Sequence, residues 1–547
     1  MVLMRQETTL RLALLMALSV VLSALLVAAL VLKSGHVRAT GTARMWSAVS
    51  RIFDPQLPML HTALRHVGEY ETPPRMRLVE TIPVGDCALA SALVATHEAL
   101  INHTAQATTT IDISAMYWNL LGADDRKVYS DADMKRFGAD RGVQLFQALV
   151  DAAKRGVTLR IVTAGEQIGN KRLPAELEQL VAAAPDRVQV RVWSARQWYG
   201  GGILHQKLWV FDRQHVYVGS ANMDWKSLAQ VMEMGVLLEH LAPVSHVLID
   251  IQRLFDVWWL WCSLDGTKSE ATTTYNSDRF QAQLKVPSWS MRLPHDARRH
   301  DPFAEAGLQA YGSVKSQLKA TFTDGAAQLF VASAPAETTV QDSRTFDEDA
   351  LVYTIRSAQK RVSLSVMDFV PYSMYSLDTH PNASIWWPAL NNAILAGVYG
   401  KGGLHVRLLI SQWEHSRKAM FESLRSLEHQ AQQVCGQIKC GGKLEIKIFR
   451  VPGWHNTTAV HGSVPPLWPQ FTRVNHAKYI VSDKRVNIGT SNMEWGYFYT
   501  TAGISVNTDH EPTRQAMEDV FNRNWASEYA IPLSQVLHEE TLVAAVM

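Results

Sequence analysis

The chain has almost no net charge and few cysteines. Its 53 basic and 51 acidic residues give a formal charge of +2 at pH 7, so no excess of positive charge marks a nucleic-acid surface at neutral pH. The 20 histidines alter this balance at low pH, because protonating all of them would raise the formal charge to +22 and attract polyanions. With 47% hydrophobic and 19% charged residues, most of the 547-residue chain is predicted to be globular, with more than one domain.

The four cysteines lack the Cys-x₂-Cys spacing and neighbouring histidines of a structural zinc site. Their even number favours disulfides in an oxidising compartment. Cys435 and Cys440 are close enough in sequence to close one local loop, which leaves Cys87 to pair with Cys262. Four buried free thiols are the alternative.

A charge-free segment near the N-terminus predicts a membrane anchor. Leu12–Leu32 is 21 residues long and contains no charged side chain, and at 1.5 Å per residue it spans a bilayer core of roughly 30 Å. The run is longer than the core of a signal peptide, and Lys33 follows it where a cleavage site would be expected. We therefore predict an uncleaved anchor at 12–32, a cytoplasmic tail at 1–11 and a stalk at 33–70.

Three Asn-x-Ser/Thr sequons follow the anchor, at Asn102, Asn382 and Asn456. The charges that flank the anchor hardly decide its orientation. Because every sequon and every cysteine lies after the anchor, we predict that the main body of the protein is glycosylated and lumenal.

One segment of the chain is repeated. Leu204–Trp225 reads LHQKLWVFDRQHVYVGSANMDW, and Asn475–Trp495 reads NHAKYIVSDKRVNIGTSNMEW. Each copy predicts a strand, a charged turn, a second strand and a Gly-Ser/Thr-x-Asn loop. Each contains a His-x-Lys-x₄-Asp motif: His205, Lys207 and Asp212 in the first copy, and His476, Lys478 and Asp483 in the second.

Helices and strands alternate upstream of each copy. Helices are predicted at 144–153 and 389–396, and strands at 110–115, 157–162, 361–367 and 406–410. This alternation indicates a mixed α/β sheet covered on both faces. The chain is therefore predicted to contain two α-β-α sandwich domains of one duplicated fold, 71–265 and 326–540, joined by a polar, irregular linker at 266–325.

The motif chemistry fits a phosphodiester reaction. Side chains at i and i+2 of a strand share a face, so each histidine points the same way as its lysine. One imidazole can attack phosphorus and form a phosphohistidine, while the other protonates the leaving oxygen and then activates water or an alcohol. The two ammonium groups can hold the non-bridging oxygens, and no metal or other cofactor is needed. An isolated His-x-Lys pair would usually be a surface strand, which the matched second copy makes improbable.

The loops after the motifs predict further phosphate contacts. Asn222 and Asn492 lie 17 and 16 residues after their histidines. Their amides, with the hydroxyls of Ser220 and Thr490, are predicted to complete a phosphate cradle.

The paired motifs resemble the HKD signature of the phospholipase D superfamily, in which two halves pack about a pseudo-twofold axis and both motifs meet in one site. Within the superfamily the chain is similar to the lysosomal, type II membrane branch of phospholipase D-like 5′ exonucleases of single-stranded nucleic acid. The likeness rests on the segments ETIP (80–83), AMYW (115–118), GSANMDW (219–225), VRLLISQWEHS (406–416) and RVNHAKY (473–479).

The resemblance also implies roles for individual residues. In the superfamily a glutamate after the motif orients a histidine, while the motif aspartate is often structural. Glu233 matches that glutamate in the first half, and Thr501 occupies the matching place in the second. Only His205 would then have an anionic partner, so we expect His205 to be the nucleophile and His476 the acid/base. The predicted catalytic set is His205, Lys207, Asp212, Glu233, His476, Lys478 and Asp483.

Aromatic residues near the motifs have two interpretations. Tyr117, Trp118, Trp225 and Trp495 either stack unpaired bases or belong to the core. A further cluster, Trp258, Trp259 and Trp261, is predicted to lie on a buried helix near Cys262.

The sequence therefore predicts a phosphodiesterase, and specifically a 5′ exonuclease of single-stranded DNA or RNA in an acidic lumen. A phospholipase D or transphosphatidylase is the alternative, because a phospholipid presents the same phosphodiester. A lumenal binding protein with an inactive site is a third hypothesis, which the intact motifs disfavour. The expected partners are single-stranded nucleic acid or phospholipid, the membrane through the N-terminal helix, and a second copy in a homodimer. The expected location is a single-pass type II membrane protein that travels from endoplasmic reticulum and Golgi to a lysosome-like lumen.

Overall fold

The computed structural model of the protein describes residues 72–165, 173–243, 245–262, 312–339, 344–375, 384–400, 402–457 and 465–546. These residues belong to one compact unit that begins at Gly68. The predicted tail, anchor and stalk, most of the linker, and the sequon at Asn382 lie outside the described residues. None of the described helices has both the length and the hydropathy needed to cross a membrane.

An eight-stranded mixed sheet forms the first half of this unit. Its strands are β1 (Arg75–Thr81), β2 (Val94–Ala95), β3 (Thr110–Ala115), β5 (Thr158–Ala164), β6 (Val188–Trp193), β7 (Leu208–Phe211), β8 (His215–Gly219) and β10 (Glu233–Glu239). Their spatial order is β2-β1-β10-β8-β7-β3-β5-β6. Two short strands, β4 (Trp118–Asn119) and β9 (Met223–Asp224), pair separately beside the motif loop.

A ten-stranded mixed sheet forms the second half. Its strands are β11 (Leu318–Phe322), β12 (Gly325–Ala334), β13 (Thr345–Phe346), β14 (Arg361–Val366), β15 (His405–Gln412), β16 (Lys443–Arg450), β17 (Tyr479–Ser482), β18 (Val486–Gly489), β19 (Gly503–Thr508) and β20 (Ala530–Pro532). The order is β11-β12-β19-β18-β17-β14-β15-β16-β20, with β13 paired to β12.

The two sheets share one central pattern. In the first, β10, β8, β7 and β3 pair antiparallel and β3, β5 and β6 pair parallel. In the second, β19, β18, β17 and β14 pair antiparallel and β14, β15 and β16 pair parallel. The predicted mixed α/β architecture is confirmed. The first motif leads into the hairpin β7–β8, and the second leads into the equivalent hairpin β17–β18.

Helices connect these strands. They are α1 (Thr96–Gln106), α2 (Asp131–Arg136), α3 (Asp140–Lys154), α4 (Ala175–Ala183), α5 (Ala195–Tyr199), α6 (Trp225–Ala229), α7 (His246–Trp261), α8 (Asp347–Arg356), α9 (Ala389–Tyr399), α10 (Lys418–Ile438), α11 (Gly496–Tyr499), α12 (Glu511–Ala526) and α13 (Leu533–Val546). The Ser245 hydroxyl caps α7 by accepting a hydrogen bond from the Leu248 amide. Trp258 and Trp259 are buried on α7, as predicted for this helix.

One predicted boundary differs from the structure. Residues 318–325 were predicted to be linker, but they form β11 and the first residue of β12. Leu318 and Phe322 are buried and pair with β12, so two apolar positions in a polar sequence suffice to add an edge strand.

The cysteines match the prediction only in part. Cys435 and Cys440 form the predicted disulfide at the end of α10. Cys87 and Cys262 are free and buried, so the predicted pairing between them is wrong. Cys87 follows β1 whereas Cys262 ends α7, and each thiol is buried without a disulfide bond to the other. Burial raises the pKa of Cys87 to about 11 and also raises that of Cys262, which keeps both thiols protonated.

Candidate active site

The approach to each histidine is held by the opposite half of the chain. The His205 amide donates a hydrogen bond to the Ala502 carbonyl at 2.9 Å, and the His476 amide donates to the Met232 carbonyl at 2.8 Å. Isolated backbone bridges join the residues just before each histidine to the same two partners. These reciprocal contacts bring two distant motifs to one place.

The two imidazoles meet in a buried site. Their ring centroids are 6.0 Å apart and their planes are inclined by 76°. His205 is 4% exposed and His476 is 9% exposed. The predicted convergence of the two rings is confirmed, and both are close enough to contact one phosphate group.

Each ring is oriented through its Nδ1 atom. Glu233 accepts from His476 Nδ1 at 2.9 Å, and the Thr490 carbonyl accepts from His205 Nδ1 at 2.7 Å. Because Nδ1 is assigned as the donor in both rings, Nε2 is the basic nitrogen of each neutral ring. The expectation that Glu233 orients His205 is therefore wrong. Met232 pairs with the segment that enters the second motif, so the next residue along the chain faces His476.

The counterpart of Glu233 is Gly503 rather than Thr501. Glu233 is the first residue of β10, and Gly503 is the first residue of the equivalent strand β19. A Cβ at Gly503 would lie 2.6 Å from the Ser491 hydroxyl, so a larger residue would force a rearrangement there. With no carboxylate at this position, His205 is oriented by a backbone carbonyl.

Lys207 and Lys478 are buried beside the histidines. Each ammonium group donates a hydrogen bond to the carbonyl of its own histidine, at 2.9 Å for Lys207 and 2.5 Å for Lys478. An ammonium group has three donors, so up to two on each lysine are left for the oxygens of a phosphate.

The site concentrates basic groups away from water. Burial and the neighbouring ammonium groups hold the pKa of His205 well below its usual value. Burial lowers the pKa of His476 to about 4, against the opposing effect of Glu233. Burial likewise lowers the pKa of Lys478 to about 7 and that of Lys207 well below its usual range. A phosphodiester anion would raise all four pKa values, because it supplies negative charge among four basic groups.

The two motif aspartates lie at the far ends of their strands. Asp212 follows Lys207 by five residues, most of them in β7, which is a distance of roughly 16 Å at about 3.3 Å per residue. Asp212 accepts hydrogen bonds from the amides of residues 108–110 at 2.7 to 2.9 Å. Asp483 accepts from the amides of residues 359–361 at 3.0 to 3.2 Å. Their place in the predicted catalytic set is wrong, because both carboxylates fix the start of a neighbouring strand.

The two loop hydroxyls are also used by the fold. Ser220 Oγ accepts from the Met234 amide at 2.9 Å and donates to the Met234 carbonyl at 3.2 Å. Thr490 Oγ1 accepts from the Ile504 amide at 3.1 Å. These side chains hold each motif loop against the next strand rather than forming part of a phosphate cradle.

The two loop asparagines have different surroundings. The Asn492 amide group donates to Asp368 at 3.0 Å and to the Tyr497 hydroxyl at 3.1 Å. Asn222 borders a cleft together with His476. Asn492 is therefore hydrogen-bonded on the side of Asp368 and Tyr497, whereas Asn222 lies beside the Tyr117 hydroxyl at the edge of the cleft.

Sequence reasoning missed Asp368 and Tyr497. Asp368 is the second residue after β14, the position that Tyr117 occupies after β3. Burial raises the pKa of Asp368 to about 6, while nearby Lys478 lowers it. The Tyr497 ring lies 5.0 Å from the His205 ring. Aligning the strands before the two motifs would have revealed the aspartate, but the tyrosine lies outside the repeat.

A cleft of about 780 Å³ opens from His476. Its aromatic lining comprises Tyr117, Trp118, Tyr129, Trp413 and Phe471. Two of the predicted stacking residues, Tyr117 and Trp118, therefore border the cleft. The other two, Trp225 and Trp495, are buried in the core.

Comparison with known proteins agrees with this geometry. Residues 100–258 match the family described as "Cardiolipin synthase, PLD-like domain", and residues 301–454 match "PLD3/4, PLD-like domain". Phospholipase D Z of Dictyostelium discoideum is 31% identical over 460 residues, which cover 84% of this chain and 91% of that protein. The 5′-3′ exonuclease PLD3 of Xenopus laevis is 29% identical over 466 residues, covering 84% and 80%. The 5′-3′ exonuclease PLD4 of Homo sapiens is 29% identical over 435 residues, covering 78% and 72%.

Proposed function

This chain belongs to the phospholipase D superfamily and is a phosphoric diester hydrolase, and we propose that it is a 5′ exonuclease of single-stranded DNA or RNA. The observation that carries the chemistry is the pair of imidazoles, 6.0 Å apart, with a buried lysine beside each. The similarity to two proteins named 5′-3′ exonucleases supports the choice of substrate.

We assign the nucleophile to His476. Glu233 accepts a hydrogen bond from its Nδ1 and stabilises the positive charge that develops on the ring when Nε2 bonds to phosphorus. Burial, which lowers the pKa of His476 to about 4, keeps Nε2 unprotonated and nucleophilic above that pH. His205, whose partner is a neutral carbonyl, is the acid/base. This assignment reverses the one expected from the sequence, which rested on Glu233 lying beside His205.

The reaction then has two displacements. In the first, His476 Nε2 attacks phosphorus, the bond to the leaving oxygen breaks, and His205 gives that oxygen its proton. In the second, His205 takes a proton from water, the water oxygen attacks phosphorus, and the bond from phosphorus to His476 breaks. Lys207 and Lys478 stabilise the charge on the non-bridging oxygens in both transition states.

Because the reaction needs a proton on His205, its rate should be highest at acidic pH. In the free enzyme, burial and the ammonium groups lower the pKa of His205, so less of it is protonated as the pH rises. Since the first step needs His205 protonated and His476 neutral, kcat/KM should be highest at acidic pH and fall towards neutrality. An enzyme with this pH dependence would suit an acidic lumen.

The cellular setting is part of the proposal. We propose that two α-β-α halves related by a pseudo-twofold axis form the lumenal region, that residues 12–32 anchor it, and that it reaches a lysosome-like compartment as part of a homodimer. Asn102 and Asn456 are exposed and so accessible to glycans. The disulfide between Cys435 and Cys440 fits an oxidising compartment.

Two labelled substrates test the function and the assignment. The full chain in detergent, at about pH 5 with a chelator, should shorten a single-stranded 5′-hydroxyl oligonucleotide from its 5′ end. With a p-nitrophenyl phosphodiester, whose leaving group needs no acid, His205→Ala should accumulate a phosphoenzyme and His476→Ala should form none. His429→Ala, which changes an exposed histidine on α10, is the matched control.

Two results would contradict the proposal. A phosphoenzyme on His476→Ala but not on His205→Ala would return the nucleophile to the first histidine. An active enzyme that leaves DNA and RNA intact would exclude the exonuclease.

Phospholipase D activity is the second candidate, because a relative is named Phospholipase D Z. Phosphatidylcholine vesicles offered at the same pH separate the two. Lipid turnover without oligonucleotide cleavage would replace the first function by the second.

A further inference from the structure

Phe471 is an exposed aromatic residue with an unusual backbone conformation. Its side chain is 56% exposed and its φ is +60°. Large side chains rarely occupy this left-handed region, and such strain concentrates at ligand-binding sites. Phe471 also lines the cleft that opens from His476, so its ring borders the same cavity as the catalytic histidine.

The segment that carries Phe471 is firmly anchored. The Arg473 amide donates to the Gln230 carbonyl at 3.0 Å in the other half of the chain. The Arg473 guanidinium stacks 3.2 Å from the centre of the buried Trp468 ring. The exposed ring is therefore presented by a buried scaffold rather than by a loose loop.

Two further rings extend the aromatic surface. His415 lies 5.1 Å and Trp413 lies 6.3 Å from Phe471, and these two rings are 4.6 Å from each other. Trp413 shares the cleft wall with Phe471. Proteins that hold single strands use such surfaces, because every base has a face that stacks on an aromatic ring.

The charged groups of the cleft are mostly acidic. Asp124, Asp125 and Asp224 line it, and its lysine, Lys226, is paired with Asp125 at 3.0 Å. Carboxylates disfavour a second phosphate in the cleft but accept hydrogen bonds from N–H and O–H groups. A volume of about 780 Å³ suits a ligand of nucleoside size.

From these features we propose that the cleft binds the unpaired base and sugar of the nucleotide next to the reacting phosphate, and that Phe471 stacks on the base. The proposal rests on the exonuclease function above and specifies which part of the substrate selects the site. The nucleoside enters the cleft among its aromatic and acidic residues, which places its phosphate at His476.

An abasic substrate isolates the stacking contact. Two oligonucleotides, identical except that the 5′-terminal nucleotide is normal or a tetrahydrofuran abasic analogue, are offered to the full chain in detergent. The wild-type protein should prefer the normal one about tenfold in kcat/KM, mainly through KM, because stacking one base on an aromatic side chain is worth roughly 1–3 kcal/mol.

Substitutions at Phe471 then locate the contact. Phe471→Ala and Phe471→Leu should process both oligonucleotides equally, and Phe471→Trp should keep the preference. Phe471→Leu keeps apolar bulk, which separates stacking from hydrophobic contact. Ile438→Ala removes an exposed apolar side chain from the end of α10 and should leave the preference intact.

The possible failures are distinguishable. A wild-type enzyme that cleaves both oligonucleotides, with a preference that Phe471→Ala does not change, overturns the nucleobase cleft and spares the exonuclease. A wild-type enzyme that cleaves neither overturns both. If Phe471→Ala instead reduces turnover of phosphatidylcholine vesicles and leaves the oligonucleotides unaffected, the cleft binds lipid and the proposal is wrong.

Discussion

The two halves of the site follow the same backbone path with different side chains. The residue three positions before each histidine has a positive φ, +89° at Gly202 and +55° at Arg473. A Cβ at Gly202 would lie 1.9 Å from the Thr500 carbonyl oxygen, so the close approach there requires glycine. The second half uses an arginine in a costly conformation and stabilises it by stacking on Trp468. The path is thus common to both halves, while the interactions that hold it are not.

The same contrast appears at the catalytic rings. His476 is oriented by a carboxylate and His205 by a backbone carbonyl, because β10 begins with Glu233 and β19 begins with Gly503. One side chain, present in one half and absent in the other, makes two equivalent histidines chemically different. A duplicated framework therefore suffices to give a nucleophile and an acid/base.

Removing that carboxylate should have the largest effect. Glu233→Gln keeps a hydrogen-bonding group but loses the charge, and we expect the rate of phosphoenzyme formation to fall about 10²–10³-fold. Single-turnover kinetics with the p-nitrophenyl phosphodiester measures this step directly.

Glu494→Gln is the matched control for this change. Burial raises the pKa of Glu494 to about 7, so at pH 5 the residue is already neutral and the substitution should change little. A Glu233→Gln variant that forms the phosphoenzyme within threefold of the wild-type rate would show that the carboxylate does not define the nucleophile.

The two motif lysines, Lys207 and Lys478, should destabilise the folded protein to different extents. Lys478 has two carboxylates nearby, Glu233 and Asp368, whereas Lys207 has only Glu233. Both methionine variants should be inactive yet more stable, since each removes a buried, incompletely compensated cation. We expect Lys207→Met to raise the free energy of unfolding by on the order of 2–3 kcal/mol and Lys478→Met by about 1 kcal/mol.

The destabilisation caused by each buried lysine should depend on pH. Burial lowers the pKa of each lysine in the folded state, so the unfolded chain binds more protons. For Lys478 the penalty is complete below about pH 7 and disappears as the pH rises towards the unfolded pKa near 10.4. Urea unfolding at pH 6 measures it, and a variant less stable than the wild type would contradict the interpretation.

The two motif aspartates allow a smaller comparison. Asp212 accepts hydrogen bonds from three amides and two threonine hydroxyls, whereas Asp483 accepts from three amides. Asp212→Asn should therefore cost about 2 kcal/mol of stability and Asp483→Asn about 1 kcal/mol, with activity per folded molecule unchanged. Denaturant unfolding at pH 6 checks the order, and a large loss of activity in a fully folded variant would return these residues to the catalytic set.

At low pH the stability differences between these variants and the wild type should disappear. Burial raises the pKa of both aspartates, but the hydrogen bonds from the backbone amides outweigh it and leave each pKa below its ordinary value. Their contribution is therefore present above about pH 4 and lost as the pH falls through the lowered pKa. Once the pH is below the lowered pKa, each variant should approach the stability of the wild type.

Local patterns predicted the framework well. The strand at 110–115 has the predicted bounds, and the repeat placed both hairpins and both His-Lys pairs, because strand periodicity and turn residues are local properties of the sequence. The convergence of the rings was expected because one phosphodiester reaction needs two imidazoles and because the paired motifs resemble a superfamily in which both motifs meet in one site.

Long-range pairing is what the sequence did not reveal. Glu233 was predicted to face His205 because it follows the first motif, but a backbone bridge between Met232 and Asn475 turns it towards the other half. The same limit explains the wrong pairing of the two buried thiols. Phe471 was missed because an exposed aromatic residue is recognisable only when its cleft is known.

The smallest expected difference between the halves concerns the disulfide after α10. It closes a six-residue loop between Cys435 and Cys440, and α4, which lies before the equivalent strand of the first half, has no cysteine. Loop-closure entropy predicts that a disulfide across so short a loop stabilises the folded protein by about 2 kcal/mol. This value is an upper bound, because the loop lies at the end of a surface helix that can open locally without global unfolding. Serine at both positions should therefore lower the melting temperature by only a few degrees and leave activity unchanged.

The number of reactive thiols tests which cysteines are paired in each half. In unfolded, unreduced protein a thiol reagent should detect two of the four cysteines, and in folded protein none, because burial raises the pKa of both free thiols and shields them. After both serine substitutions the unfolded protein should still show two. No reactive thiol in unfolded wild-type protein would mean that Cys87 and Cys262 are paired after all. Each half would then carry one disulfide, and this difference between the halves would disappear.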